Sequence, residues 1–201
     1  MRIISGTYKG RTIKAVPSKK TRPTTDRVRE AWASSVMSLA PEGRLRGASV
    51  LDAFAGSGAL GLELLSRGAE TCLFVEKNRA AVPVLIDNIE SLGLSRQQAE
   101  VCVANSLSTP LPVGICERQL YDIVILDPPY TLPQAEVARL ITLLARTNLL
   151  VRNSLISYEH AAANKGDMDG LNLSEKKNSL SLALAKRKEY GTICIDYYLC
   201  T

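Results

Sequence analysis

Val50-Leu51-Asp52-Ala53-Phe54-Ala55-Gly56-Ser57-Gly58-Ala59-Leu60-Gly61 is an apolar run that ends in a carboxylate and passes through closely spaced glycines into a helix-forming segment. Gly56, Gly58 and Gly61 fall in the pattern G-x-G-x-x-G. Glycine adopts positive φ and lets a backbone approach a ligand, and the helix start that follows offers N–H groups. A second apolar run, 71–75, ends at Glu76. A carboxylate there can accept from both hydroxyls of a ribose. Glycine turn and acid together predict an adenosine-type cofactor at the carboxyl ends of parallel strands. Alone they do not separate a nicotinamide dinucleotide from a sulfonium cofactor, since both present an adenosine ribose. Asp52 favours the second: just before the turn it would repel a pyrophosphate, whereas it can order water or amine donors near a methionine moiety.

Outward from this unit, strand and helix signals alternate. Strands are predicted at 49–53, 71–75, 100–103, 121–126 and 154–159, and helices at 58–66, 79–92 and 134–145. Thr24, Thr25 and Asp26 supply capping chemistry for an earlier helix reaching Leu39, with Val28, Trp32, Val36 and Leu39 at helical spacing and Trp32 as its core anchor. Two β-rich stretches, 181–188 and 192–199, joined at Glu189-Tyr190-Gly191, read as a closing hairpin, and 2–4 with 12–16 as an N-terminal one. The fold class is therefore α/β, a mostly parallel sheet covered on both faces with an antiparallel final strand.

The fourth strand runs directly into Asp127-Pro128-Pro129-Tyr130. Two successive prolines cannot donate within a central sheet, so they end the strand in a rigid bend whose carbonyls can accept. Asp127 adds a carboxylate acceptor and Tyr130 an aromatic face. A planar –NH2 group needs these: two acceptors for its hydrogens and a stacking surface. A dehydrogenase would have no use for such a corner.

Charge is unevenly placed. The net charge is +5, yet residues 1–30 hold nine basic and two acidic residues, while the other 171 hold 16 basic and 18 acidic. A basic arm on a mildly acidic body points to a polyanionic partner. The five cysteines lack C-x-x-C spacing and read as reduced small hydrophobes. His160, the single histidine, has no G-x-S-x-G partner and reads as structural, so triad and metal chemistry are set aside. With no membrane-span or signal-peptide pattern, a cytoplasmic location is expected.

The Asp127–Tyr130 tetrapeptide after the fourth strand, with Phe54-Ala-Gly-Ser-Gly58 after the first, resembles the class I amino-methyltransferases. Arg22-Pro-Thr-Thr-Asp-Arg-Val-Arg-Glu30, Asp52–Gly61 and Glu63-Leu-Leu-Ser-Arg-Gly-Ala69 resemble one subfamily closely, the bacterial 16S ribosomal RNA guanine-N2 methyltransferases (RsmD). The resemblance spans nearly the whole chain; it departs at Trp32-Ala-Ser34, where the family shows Leu-Phe and then a polar residue. It implies the seven-stranded Rossmann-like methyltransferase sheet, S-adenosylmethionine as donor, and a guanine of 16S RNA in an assembling 30S subunit as acceptor. Residues 1–23 are expected to form an RNA-contacting hairpin or arm and 24–201 the methyltransferase domain, and a monomer is expected. Asp127, Pro128, Pro129 and Tyr130 become the catalytic corner. Thr25, Asp52, Phe54, Gly56, Ser57, Gly58, Gly61, Glu76, Lys77, Asn105 and Ser106 become the cofactor site. Arg2, Lys9, Arg11, Arg22, Arg27 and Arg29 become phosphate contacts. Rival readings are adenine-N6 or glutamine-amide methylation on the same fold, an NAD-dependent dehydrogenase, which leaves the proline corner idle, and a non-catalytic RNA-binding protein, which explains the arm alone.

Overall fold

The computed structural model describes residues 1–17, 25–41, 45–112, 120–163, 168–173 and 180–201. Its elements run α1 (Asp26–Leu39), β1 (Ser49–Asp52), α2 (Ala59–Ser66), β2 (Thr71–Val75), α3 (Val82–Ser91), β3 (Ala99–Cys102), β4 (Ile123–Leu126), α4 (Gln134–Arg146), β5 (Leu155–Ala161), β6 (Leu182–Tyr190) and β7 (Ile193–Cys200). The strands form one seven-stranded sheet in the order β3-β2-β1-β4-β5-β7-β6. β1 to β5 pair in parallel, and β7 runs antiparallel to both β5 and β6.

Alternation along each strand divides the core into two layers. Val50, Cys72, Phe74, Ile123, Ile125 and Leu155 pack with Trp32, Val36, Leu62, Leu85 and Ile89 on the α1–α2–α3 face. Leu51, Leu73, Val75, Val124, Leu126 and Ile156 pack with Val137, Leu140, Ile141 and Leu144 of α4 on the other. Strands that feed both layers read as continuous apolar runs, and Ile123–Leu126 is buried throughout. Trp32 anchors α1 as expected, buried, with Nε1 donating to Ser157 Oγ of β5 at 2.8 Å.

One element differs from expectation for a local reason. The third helix starts at Val82 rather than 79, because Asn78 Oδ1 accepts from Ala80 N (3.0 Å) and gives the backbone a competing turn. The N-terminal hairpin is present: Arg2 bridges Thr12 antiparallel, Ile3 N donates to Arg11 O (3.0 Å), Gly10 N to Ile3 O (2.9 Å) and Ile13 N to Met1 O (3.0 Å). It is also docked on α2. Ile4 N and Ser5 N donate to the buried Glu63 carboxylate (2.8 and 3.1 Å), and Arg67 pairs with the same carboxylate (2.7 Å). Ser66 Oγ donates to Ser5 O (2.6 Å), Thr7 N donates to Ser66 O (2.7 Å), and Ile3 and Ile13 are buried in the core. Glu63, Ser66 and Arg67 belong to the segment 63–69 that resembles the subfamily, and this docking is what they do here.

Gly6 sits in this joint at φ +87°, where an added Cβ would lie 1.8 Å from the Ser66 carbonyl oxygen. No backbone adjustment that keeps the Thr7–Ser66 bond admits a side chain. Gly6→Ala is expected to destabilise the protein by about 2 kcal/mol or more, measured by urea denaturation.

Candidate active site

The glycine turn leaves β1 at the carboxyl end of the sheet and delivers α2. Gly58 caps that helix at φ +81°, and a Cβ on Gly61 would stand 2.4 Å from the Phe74 ring, so Gly61 exists to let α2 lie against β2. Gly56 differs: at φ +54° its missing side chain would meet nothing within 4 Å. The turn therefore presents bare backbone to open space, a cradle for a ligand. Glu76, at the end of β2, accepts from Gly56 N (2.7 Å) and Asn78 N (2.6 Å). Its carboxylate borders the cradle and fixes the turn, beside the place where a ribose would need an acceptor.

Asp52 lies under the turn, 2% exposed, accepting from Gly61 N at 3.2 Å. Burial, with the Glu76 carboxylate adding to it and the Gly61 N–H opposing it, pushes Asp52 up to about 7. Ser106 is buried and its hydroxyl donates to Ala53 O (2.7 Å), tying the loop after β3 to the end of β1. Asn105 is exposed on that loop, with Oδ1 accepting from Leu107 N (3.2 Å). Phe54 is half-buried against the α4-side core, and Ser57 is buried, its carbonyl accepting from Asn88 Nδ2 (2.9 Å). Thr25 caps α1 from an exposed position, its hydroxyl accepting from Val28 N (3.4 Å), and Lys77 is exposed beyond β2. An open cradle, a carboxylate beside it and a second buried carboxylate beneath form a donor set that fits an adenosine cofactor with a cationic end.

The proline corner stands on the next strand. β1 pairs with β4 in the register Asp52 to Ile125, and Ala53 N donates to Ile125 O (3.1 Å). Asp127 follows two residues on, so the corner and the glycine turn leave neighbouring strands at the same rim. Pro128 is buried, while Tyr130 keeps 46% of its surface exposed. Its hydroxyl donates to Glu159 Oε1 at 2.8 Å. Glu159 was not singled out in the sequence. On β5, paired in parallel with β4, Tyr158 stands opposite Leu126, so Glu159 is next to Asp127 in the following row. Burial, then the Glu159 and Asp52 carboxylates, push Asp127 well above the usual carboxylate range. Burial also raises Glu159, against the opposing Tyr130 hydroxyl and His160. Tyr130 is raised too, by burial and then by Glu159.

The basic residues divide. Lys9 and Arg27 are exposed, Arg2 is exposed and pairs with Asp26 (3.0 Å), and Arg11 donates to the Ser91 carbonyl from the surface. Arg22 lies outside the described residues. Arg29, expected at a phosphate, is 1% exposed and turned inward, donating to Arg2 O (2.8 Å) and Asp26 Oδ1 (2.7 Å). The spacing already carried this correction, since Trp32, Ala33 and Val36 follow Arg29 on one helical face.

His160 is buried on β5, with Nε2 3.2 Å from Asp196 Oδ2. Cys194 is beside them, but Arg187 forks onto both Asp196 oxygens (2.6 and 2.7 Å) and Tyr198 donates to one (3.1 Å). The guanidinium supplies the charge that a metal would otherwise bring. Despite burial, these partners hold Asp196 well below the usual carboxylate range.

A family model described as conserved hypothetical protein 95 matches residues 1–199. The chain is 38% identical over 160 residues to ribosomal RNA small subunit methyltransferase D of Haemophilus influenzae, covering 79% of this chain and 78% of that protein. It belongs to the RsmD family. The Escherichia coli K12 protein of the same name is 37% identical over 167 residues, covering 82% and 76%. The solved structure of Escherichia coli yhhF superposes with a TM-score of 0.76 at 30% identity, covering 100% of this chain and 97% of that one. In this RsmD-family chain the sheet is that of the class I methyltransferases, as its order and its antiparallel β7 require.

Asp52 binds its proton more tightly folded than unfolded, where its value is near 3.8. Its contribution is therefore neutral below the unfolded value, turns unfavourable as pH rises, and reaches its full penalty above about 7. Asp52→Asn removes that penalty. Relative to wild type, the variant is expected to gain on the order of 2 kcal/mol more at pH 8 than at pH 5 in urea denaturation. Equal differences at both pH values would contradict the burial assigned to this carboxylate.

Proposed function

We propose that this protein transfers a methyl group from S-adenosylmethionine to the exocyclic N2 amine of a guanine in small-subunit ribosomal RNA. The observation that carries the reading is the shared rim. Asp127 and its proline bend follow β4 at the same rim at which the glycine turn follows its paired neighbour β1. Relatives named ribosomal RNA small subunit methyltransferase D support the RNA class.

S-adenosylmethionine, when bound, supplies a methyl group already activated by its sulfonium charge. What falls to the protein is alignment of the attacking nitrogen. Gly56 and the turn would cradle the methionine and ribose end, Glu76 the ribose hydroxyls, and Asn105-Ser106 the adenine side, with Thr25, Phe54, Ser57 and Lys77 around them. Asp52 beneath the turn favours a cationic ligand by ionising towards it.

The guanine N2 lone pair is delocalised into the ring and is a poor nucleophile. Accepting its two hydrogens at Asp127 and a proline carbonyl turns the pair towards the donor. The Pro129 carbonyl already accepts from Leu132 N (2.8 Å), which favours that of Pro128 as the second acceptor. Tyr130, with its hydroxyl fastened by Glu159 and its ring half exposed, offers a fixed face on which an unstacked base can lie. The nitrogen becomes acidic only once methylated, and its proton then passes to Asp127 or to water. No histidine base is needed.

Asp127→Ala should lower turnover roughly 100-fold or more while leaving cofactor binding in place, as measured by tritiated-methyl transfer to undermethylated small subunits with nucleoside analysis of the product. Wild-type turnover in that variant, or a methyl group found elsewhere than on guanine N2, would reject the reading.

The exposed cations Arg2, Lys9, Arg11 and Arg27 are assigned to the RNA backbone. Each one that neutralises a phosphate contributes about 0.7–0.9 to the slope of log affinity against log salt. Replacing all four with Gln is expected to weaken RNA binding and flatten that slope, read by filter binding between 50 and 200 mM salt. An unchanged slope would remove them from the interface.

A further inference from the structure

A carboxylate within an inner strand, 8% exposed and alongside a second one, is an expensive arrangement for which the fold offers no reason. Glu159 is such a group. The β4–β5 register sets it next to Asp127, and on β5 it shares the α1-side face with Ser157, which bonds Trp32. Tyr130 Oη donates to Oε1 at 2.8 Å, which ties the carboxyl to the corner and leaves Oε2 as its second acceptor atom.

Two acceptors side by side call for two donors side by side. Guanine alone among the RNA bases carries an exocyclic amine and an adjacent ring N–H on its Watson–Crick edge. Adenine and cytosine place a ring acceptor next to the amine, and uracil has no amine. We propose that Glu159 accepts the N1–H of the guanine whose N2 amine is held by Asp127, and that this pair of carboxylates selects guanine over adenine. The inference rests on the reading of the acceptor given above and adds a residue and a reason for its specificity. Adenine or cytosine in the same pose would set a lone pair against the Glu159 carboxylate in a buried place, and sites that mispair a buried polar group discriminate by large factors. The raised proton affinity of both carboxyls fits a pair that waits for donors.

The competing role is a plain tether, in which Glu159 only orients Tyr130. The two separate in one experiment with the full-length protein. The methylated guanine is first mapped, and the small-subunit RNA is then rebuilt with 2,6-diaminopurine at that position. This base keeps the 2-amine but carries an acceptor at N1. The wild-type protein is expected to favour guanine by roughly 100-fold or more in kcat/KM. Glu159→Gln, whose amide can donate to N1, should lose turnover on guanine and shift the ratio at least about 10-fold towards diaminopurine. Tyr130→Phe should slow both substrates and leave the ratio where it was.

A wild-type protein that methylates both bases equally would overturn the assignment without need of any variant. So would Glu159→Gln lowering both substrates alike, or Tyr130→Phe reproducing its shift in ratio. If the wild type forms no N2-methylguanosine on unmodified RNA, the broader functional reading falls instead. Guanine product with no discrimination removes only the role of Glu159.

Discussion

The parallel pairing of β1 with β4 is the contact on which the site depends. From β1, the first strand of the chain, the sheet grows outward to β2 and β3, and the chain then returns to lay β4 on the other side. At that reversal the helices after the two strands depart to opposite faces, α2 to the layer holding Trp32 and α4 to the layer holding Leu140. Open α/β sheets bind ligands at such switch points, where the diverging helices leave the strand ends uncovered. The bond from Ala53 N to Ile125 O closes the sheet immediately below, so the glycine turn and the proline bend rise from one floor. Neither could be shifted by a residue without turning its side chains to the other face.

Electrostatics sort the buried acids of this sheet into two kinds. Asp196 is surrounded by Arg187, His160 and Tyr198, and it is more acidic than a free carboxylate. Glu63, likewise buried, receives Arg67 and two backbone N–H groups and so fastens the N-terminal segment. These are completed arrangements that serve the fold. Asp52 and Asp127 are the opposite: desolvation dominates, each has another carboxylate close by, and both hold their protons unusually tightly. A protein tolerates such acids where a ligand brings the missing donors or positive charge, and perturbed groups at the mouth of a crevice mark function for that reason.

Much of this was legible in the residues because the decisive features are local. Strand and helix periods, the glycine turn, Glu76 at the end of β2 and the Asp127–Tyr130 bend are each contained within a few positions, and the sheet that they imply is the one observed. What could not be read was pairing between distant segments. Glu159 in isolation is an acid at the end of a strand, a common solvated residue; only the register of β5 against β4 makes it the neighbour of Asp127. The N-terminal hairpin is present, but its docking on α2 is another such distant pairing, since its partner Glu63 lies some sixty positions away. Arg29 differs again: its charge points to a phosphate, but its helical phase with Trp32, Ala33 and Val36 turns it into the core.

The docking of the N-terminal segment has a mechanical consequence. α2 is eight residues long, or about 12 Å at 1.5 Å per residue. One end of it is capped by Gly58 of the glycine turn, and the other carries Ser66, which bonds Ser5, Thr7 and Tyr8, and Arg67, which pairs with Glu30 of the first helix. The exposed cations of the segment are thus referenced to the glycine turn through a single rigid element. A nucleic-acid backbone gripped by the segment would be held at a set distance from that turn. That constraint suits an enzyme that must draw one base out of its stack and leave its neighbours in place, and it explains why a basic arm is built into the core instead of trailing from it.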